Sequence, residues 1–161
     1  MGFSPFVPQM WDRLRRFRRW PRPARLMFLR AAVLLPLISL SLRVRGFAAT
    51  QKWLRAARPE ARANNEKKVS NIAAAERAVR AAARYGLVRA TCLERALAQR
   101  WLLGKEGVSA ELRIGVRKTG EKFEAHAWVE CAGQALDAGD SHQHYAAFDA
   151  ELSRLATEKA P

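Results

Sequence analysis

Apolar residues recur along this chain first with a helical period and then, past residue 110, with the period of two that marks a strand. Residues 9–20 predict a basic amphipathic helix, ended by Pro21 and Pro23. Two further helices are expected over 24–35 and 37–56, with Pro36 as a kink or break between them and Gly46 weakening the second. The polar stretch from Pro59 to Lys68 reads as a seam between a basic helical region, residues 1–62, and a core, residues 63–161. In that core Ser70 or Asn71 can cap a helix with Ile72, Ala75, Val79 and Ala82 as its inner stripe and Gly86 as its stop.

The next segment is more specific. Thr91-Cys92-Leu93-Glu94 is a capping box, in which the Thr91 hydroxyl accepts from the residue 94 amide while Glu94 accepts from the Thr91 amide. The helix it opens carries Leu93, Leu97 and Trp101 on one face and is expected to stop at Gly104. From Ala110 the alternation of Leu112, Ile114 and Val116 with Glu111, Arg113 and Gly115 predicts a half-buried strand, followed by a turn at Lys118-Thr119-Gly120. Residues 122–131 alternate again, with His126 and Trp128 on the face opposite Ala127, Val129 and Cys131. Ala132-Gly133 is a turn, Ala135–Asp137 a short third strand, and 145–156 a closing helix with Tyr145, Phe148, Leu152 and Leu155 inward. Helices, an antiparallel meander and a final helix make the fold class α+β.

Charge adds a feature that the pattern does not show. The formal net charge is +14, and residues 1–62 hold 14 Lys and Arg against 2 Asp and Glu, leaving 15 against 13 for the rest. A basic arm of this kind favours an anionic partner, whether acidic peptide, phospholipid or nucleic acid. Two cysteines are too few for a disulfide framework, and a single Cys92–Cys131 bridge is the minor alternative to two free thiols. The pair His142 and His144 has metal-like spacing without a third ligand, so no metal and no cofactor are expected. The apolar run Ala31–Leu42 is too short to span a bilayer and is closed by Arg43 and Arg45, which favours a buried helical hairpin and a cytoplasmic location. Trp11, Phe17 and Trp20 among the arginines leave peripheral membrane contact open.

The capping box places Cys92 at the first helical position, where unpaired amides and the helix dipole stabilise negative charge. The thiolate is the reactive form of cysteine, and the same amides can form part of an oxyanion hole. His126, mid-strand between Ala125 and Ala127, is placed to act as a base, with Asp137 as the carboxylate that orients the imidazole. Trp128 shapes the site beside His126. The plainer readings are an inert buried cysteine and a satisfied strand histidine.

The stretches Cys92-Leu93-Glu94-Arg95-Ala96-Leu97, Gly107–Val116 and Ala125-His126-Ala127-Trp128-Val129-Glu130 resemble the transglutaminase-like leader peptidases of lasso-peptide biosynthesis, over about residues 68–140. The resemblance implies a papain-like or transglutaminase-like core, a nucleophile helix on a small antiparallel sheet. It makes Cys92 the nucleophile and His126 the general base of a cysteine endopeptidase that cuts the leader from a ribosomally made precursor. Its aspartate follows Gly133-Gln134-Ala135-Leu136, which selects Asp137, with Asp140 as the rival because the family's usual position is Ala138 here. It also implies a stand-alone form served by a separate leader-recognition protein and an ATP-dependent macrocyclase, without nucleic acid. The alternatives are a transglutaminase-like acyltransferase using the same triad and a non-catalytic basic adaptor for membrane or nucleic acid.

Overall fold

The computed structural model describes residues 20–57, 68–86, 88–136 and 144–147. Among these residues three helices, α1 (Arg22–Ala56), α2 (Lys68–Tyr85) and α3 (Cys92–Lys105), precede four strands, β1 (Glu111–Thr119), β2 (Lys122–Cys131), β3 (Gln134–Leu136) and β4 (Ala146–Ala147). The strands form one antiparallel sheet in the order β3-β2-β1-β4. The expected α+β arrangement is thus present, and it is compatible with a transglutaminase-like fold. Of the basic helix expected over 9–20 and the seam expected over 59–68, residues 9–19 and 59–67 lie outside the described residues.

The break in the N-terminal helix falls at Gly46 rather than at Pro36. Pro36 sits inside the helix, whereas Gly46 takes φ 76° and ψ −179°, a conformation reserved for glycine. Nine residues of straight helix span about 13.5 Å. Here the Ser41 hydroxyl oxygen lies 2.8 Å from that of Thr50, so the chain folds back at Gly46. Thr50, itself buried, donates in turn to the Gly46 carbonyl at 2.7 Å. By length and composition alone α1 contains a window apolar enough to cross a membrane, a third of it buried. The run 31–42 is therefore only part of a longer apolar helix, which is compatible with either a core role or a membrane role.

Other boundaries shift for local reasons. α2 begins at Lys68, ahead of the expected Ser70 or Asn71 caps, within the usual ambiguity of a helix end. α3 runs through Gly104, which is buried, and ends where Gly107 adopts φ 74° and Val108 donates to the Leu103 carbonyl. Thr119 pairs with Lys122, so the hairpin turn is Gly120-Glu121 alone, and Lys118 and Thr119 belong to β1. β3 covers Gln134–Leu136, and Ala146–Ala147 pair with β1 where the start of a helix was expected. There a free sheet edge outweighs helix propensity. Residues 148–156 lie outside the described part.

A single hydrophobic cluster joins all these layers. Leu35 and Ile38 of α1, Val79 of α2, Leu97, Leu102 and Leu103 of α3, and Ala127 and Val129 of β2 all belong to it. α3 lies at its centre, packed by α1, α2, β1 and β2. It is therefore buried on more faces than its predicted Leu93/Leu97/Trp101 stripe, of which only Leu97 is fully buried.

Candidate active site

The capping box forms as the sequence requires. Thr91 Oγ1 accepts from the Glu94 amide at 3.3 Å, and Glu94 Oε2 accepts from the Thr91 amide at 2.7 Å. Glu94 is buried and its carboxylate is occupied by the cap, so it is not directed at the thiol. Cys92 is the first residue of α3 and half-buried. Its amide and that of Leu93 have no intrahelical acceptor, because the four-residue ladder has not yet begun.

The first two turns of α3 face the sheet across a narrow cleft. Cys92, Arg95, Ala96 and Gln99 of α3 and His126, Ala127, Trp128 and Leu136 of the sheet border one small cavity; Ala127 belongs to the cluster shared with α3, while His126 and Trp128 alternate to the other face of β2. The structure therefore brings Cys92 and His126 to one cavity, with Trp128 beside them. Asp137 and Asp140 lie outside the described residues, although Leu136, the neighbour of Asp137, is part of the wall. Thr91 serves the cap. His144 is exposed, His142 is outside the described part, and both cysteines are free, so the alternative bridge is absent. Cys131 contacts the Ser109 carbonyl at 3.4 Å.

The His126 side chain is held by rings. It stacks on Trp128 at 6.1 Å with 17° between planes, and the tilted Tyr145 ring lies at 5.2 Å. Trp128 is buried, and its indole N–H donates to Glu130 at 3.0 Å. Glu130 is anchored in turn by Arg113 at 2.9 Å. Arg117 lies over the Tyr145 ring at 4.8 Å and bonds Glu124, which raises the Arg117 pKa further above its already high ordinary value. Gly115, opposite His126 in the ladder, makes this packing feasible. A Cβ there would meet Trp128 Cη2 and the Ala146 carbonyl, each at 2.9 Å.

Arg95, which lies within the Cys92–Leu97 stretch, and Gln99, which no motif announces, join the site. Arg95 Nε and Gln99 Nε2 are both buried without a hydrogen-bond partner, and Gln99 is only 2% exposed. With Cys92 and Ala96 they form an i, i+3, i+4, i+7 row, a signal that reading outward from Cys92 could have found. Two donors without acceptors, beside a thiol at a helix start, make a pocket suited to an oxygen-rich acyl group.

An α+β protein in which a helix-start thiol and a strand histidine border one small cavity is what the fold and the site present. The chain belongs to the transglutaminase-like superfamily, whose family description matches residues 33–150. That superfamily generally comprises cysteine peptidases and acyltransferases. Neither the curated proteins nor the solved structures hold a significant match.

Proposed function

We propose that the protein is a cysteine endopeptidase that removes the leader from a ribosomally made lasso-peptide precursor. The observation that carries the chemistry is the shared cleft of Cys92 and His126, with Cys92 at a capped helix start. The paired motifs Cys92–Leu97 and Ala125–Glu130 support the substrate class. In this reading the Cys92 sulfur attacks the scissile carbonyl carbon while His126 takes the thiol proton. The amides of Cys92 and Leu93, with Gln99, stabilise the oxyanion. His126 then passes its proton to the leaving amine, the C–N bond breaks, and a thioester remains. Water attacks that thioester while His126 takes its proton, the C–S bond breaks, the proton returns to the Cys92 sulfur, and the leader leaves as a carboxylate. Asp137, or Asp140 in its place, orients the imidazole. A separate recognition protein delivers the leader, and an ATP-dependent macrocyclase takes the released core.

The test combines the protein with a genomically neighbouring precursor and recognition protein and follows mass over time. Leader release by the wild type, lost in Cys92→Ala and His126→Ala, is the expected result. Release that persists in Cys92→Ala overturns the reading. An amide adduct in the presence of added amine would move the protein to the acyltransferases. Asp137→Asn and Asp140→Asn, compared side by side, identify the orienting carboxylate.

A further inference from the structure

The first stretch of α1, up to Gly46, is apolar on two opposite sides. Met27, Ala31, Leu34, Leu35 and Ile38 face the common core. Leu26, Leu29, Val33, Leu37, Leu40 and Val44 recur at steps of three and four and are 46 to 74% exposed. A helix rises 1.5 Å per residue, so this outward row is about 27 Å long. Isolated exposed leucines are ordinary on a protein surface, but a continuous row of six is not.

The surroundings indicate what covers it. Between Arg13 and Arg58 the sequence contains 13 Lys and Arg and no Asp or Glu. At 100° per residue, Arg25 and Arg43 fall on one flank of the row and Arg30, which also pairs with Glu106 at 3.5 Å, on the other. Arginines so placed can lay their stems along an apolar layer and keep their charges in a headgroup region. Trp20, exposed just before the helix, and Trp53, which lines the grooves beside the row, are side chains that favour such a boundary. A protein partner is usually read through about one hydrogen bond per 100–200 Å², and the row itself offers no side-chain donor or acceptor. A span is disfavoured too, because crossing would strip Leu35 and Ile38 from the core they share with α2 and α3.

We propose that α1 lies in the plane of an anionic phospholipid bilayer, with the Leu26–Val44 row in the acyl region and the flanking arginines at the phosphates. This inference does not depend on the reaction proposed for the cleft. Sedimentation of the full-length protein with phosphatidylcholine vesicles, with and without phosphatidylglycerol, tests it. The wild type is expected to pellet with the anionic vesicles and to be released by added salt. Val33→Glu/Leu40→Glu, both at exposed positions, should weaken binding by roughly tenfold or more with an unchanged melting temperature. Arg25→Glu/Arg43→Glu should weaken it by a similar factor. Undiminished binding of Val33→Glu/Leu40→Glu would overturn the proposal and point to residues 1–19. Binding that resists alkaline carbonate would overturn it in favour of a span. Absence of vesicle binding, with or without a dimer that Val33→Glu/Leu40→Glu dissociates, would overturn it as well.

Discussion

Gln99 occupies a costly position for an amide. An unpaired buried donor costs about 1–3 kcal/mol, so Gln99→Leu should raise stability, by about 1–2 kcal/mol in chemical denaturation. In the reaction proposed above, the same change should lower kcat/KM by roughly tenfold or more, because it removes the oxyanion donor that the proposal assigns to Gln99. A gain in stability coupled to a loss of turnover would separate a functional amide from a merely tolerated one. Gly115→Ala should act in the opposite direction. Its methyl meets both the Trp128 ring and the Ala146 carbonyl at 2.9 Å, so a loss of about 1–3 kcal/mol is expected in thermal or urea melts. Thr91, Cys92 and Glu94 are legible in the sequence because a capping box is a rule about four consecutive residues. Gln99 and Gly115 are not, since the burial of one and the crowding of the other are set by elements distant in sequence.

At the level of elements, the bend in α1 is the clearest case of a backbone requirement. No atom lies within 4 Å of a Cβ built on Gly46, so Gly46→Ala tests the backbone alone. A positive φ combined with ψ near 180° is essentially confined to glycine and costs a residue with a Cβ about 1–3 kcal/mol, so Gly46→Ala should lower stability by that amount in urea unfolding. The sequence pattern favours Pro36 over Gly46 because proline removes a hydrogen bond wherever it sits, whereas glycine only permits a break. Just past β2 a residue with a side chain also takes a positive φ: Ala132 stands at φ 51° beside Gly133. The strands from 111 to 131 are the most legible elements, since one hairpin with one buried face fixes its own register. The fourth strand is not, because two alanines carry no period, and only the edge of β1 gives them a role.

For the molecule as a whole, the continuity of the core matters most. α1 contributes Leu35, at 1% exposure, to the same cluster as the helix that bears Cys92. Leu35→Ala should therefore cost about 2–5 kcal/mol and lower a single unfolding transition monitored by both far-ultraviolet dichroism and tryptophan fluorescence. Two separated transitions would show that the N-terminal helix is an independent unit. The fold class follows from the order of periodicities. The depth to which α1 enters the core does not, because its two apolar faces look alike until one of them is covered.

The cleft has one wall on α3 and the other on a hairpin made later in the chain. During translation the sulfur leaves the ribosome before the imidazole is synthesised, so a nascent chain carries a cysteine without its facing histidine. The cavity comes into being only when the hairpin closes on the helix, which places the onset of any reactivity after the β1–β2 hairpin has been made.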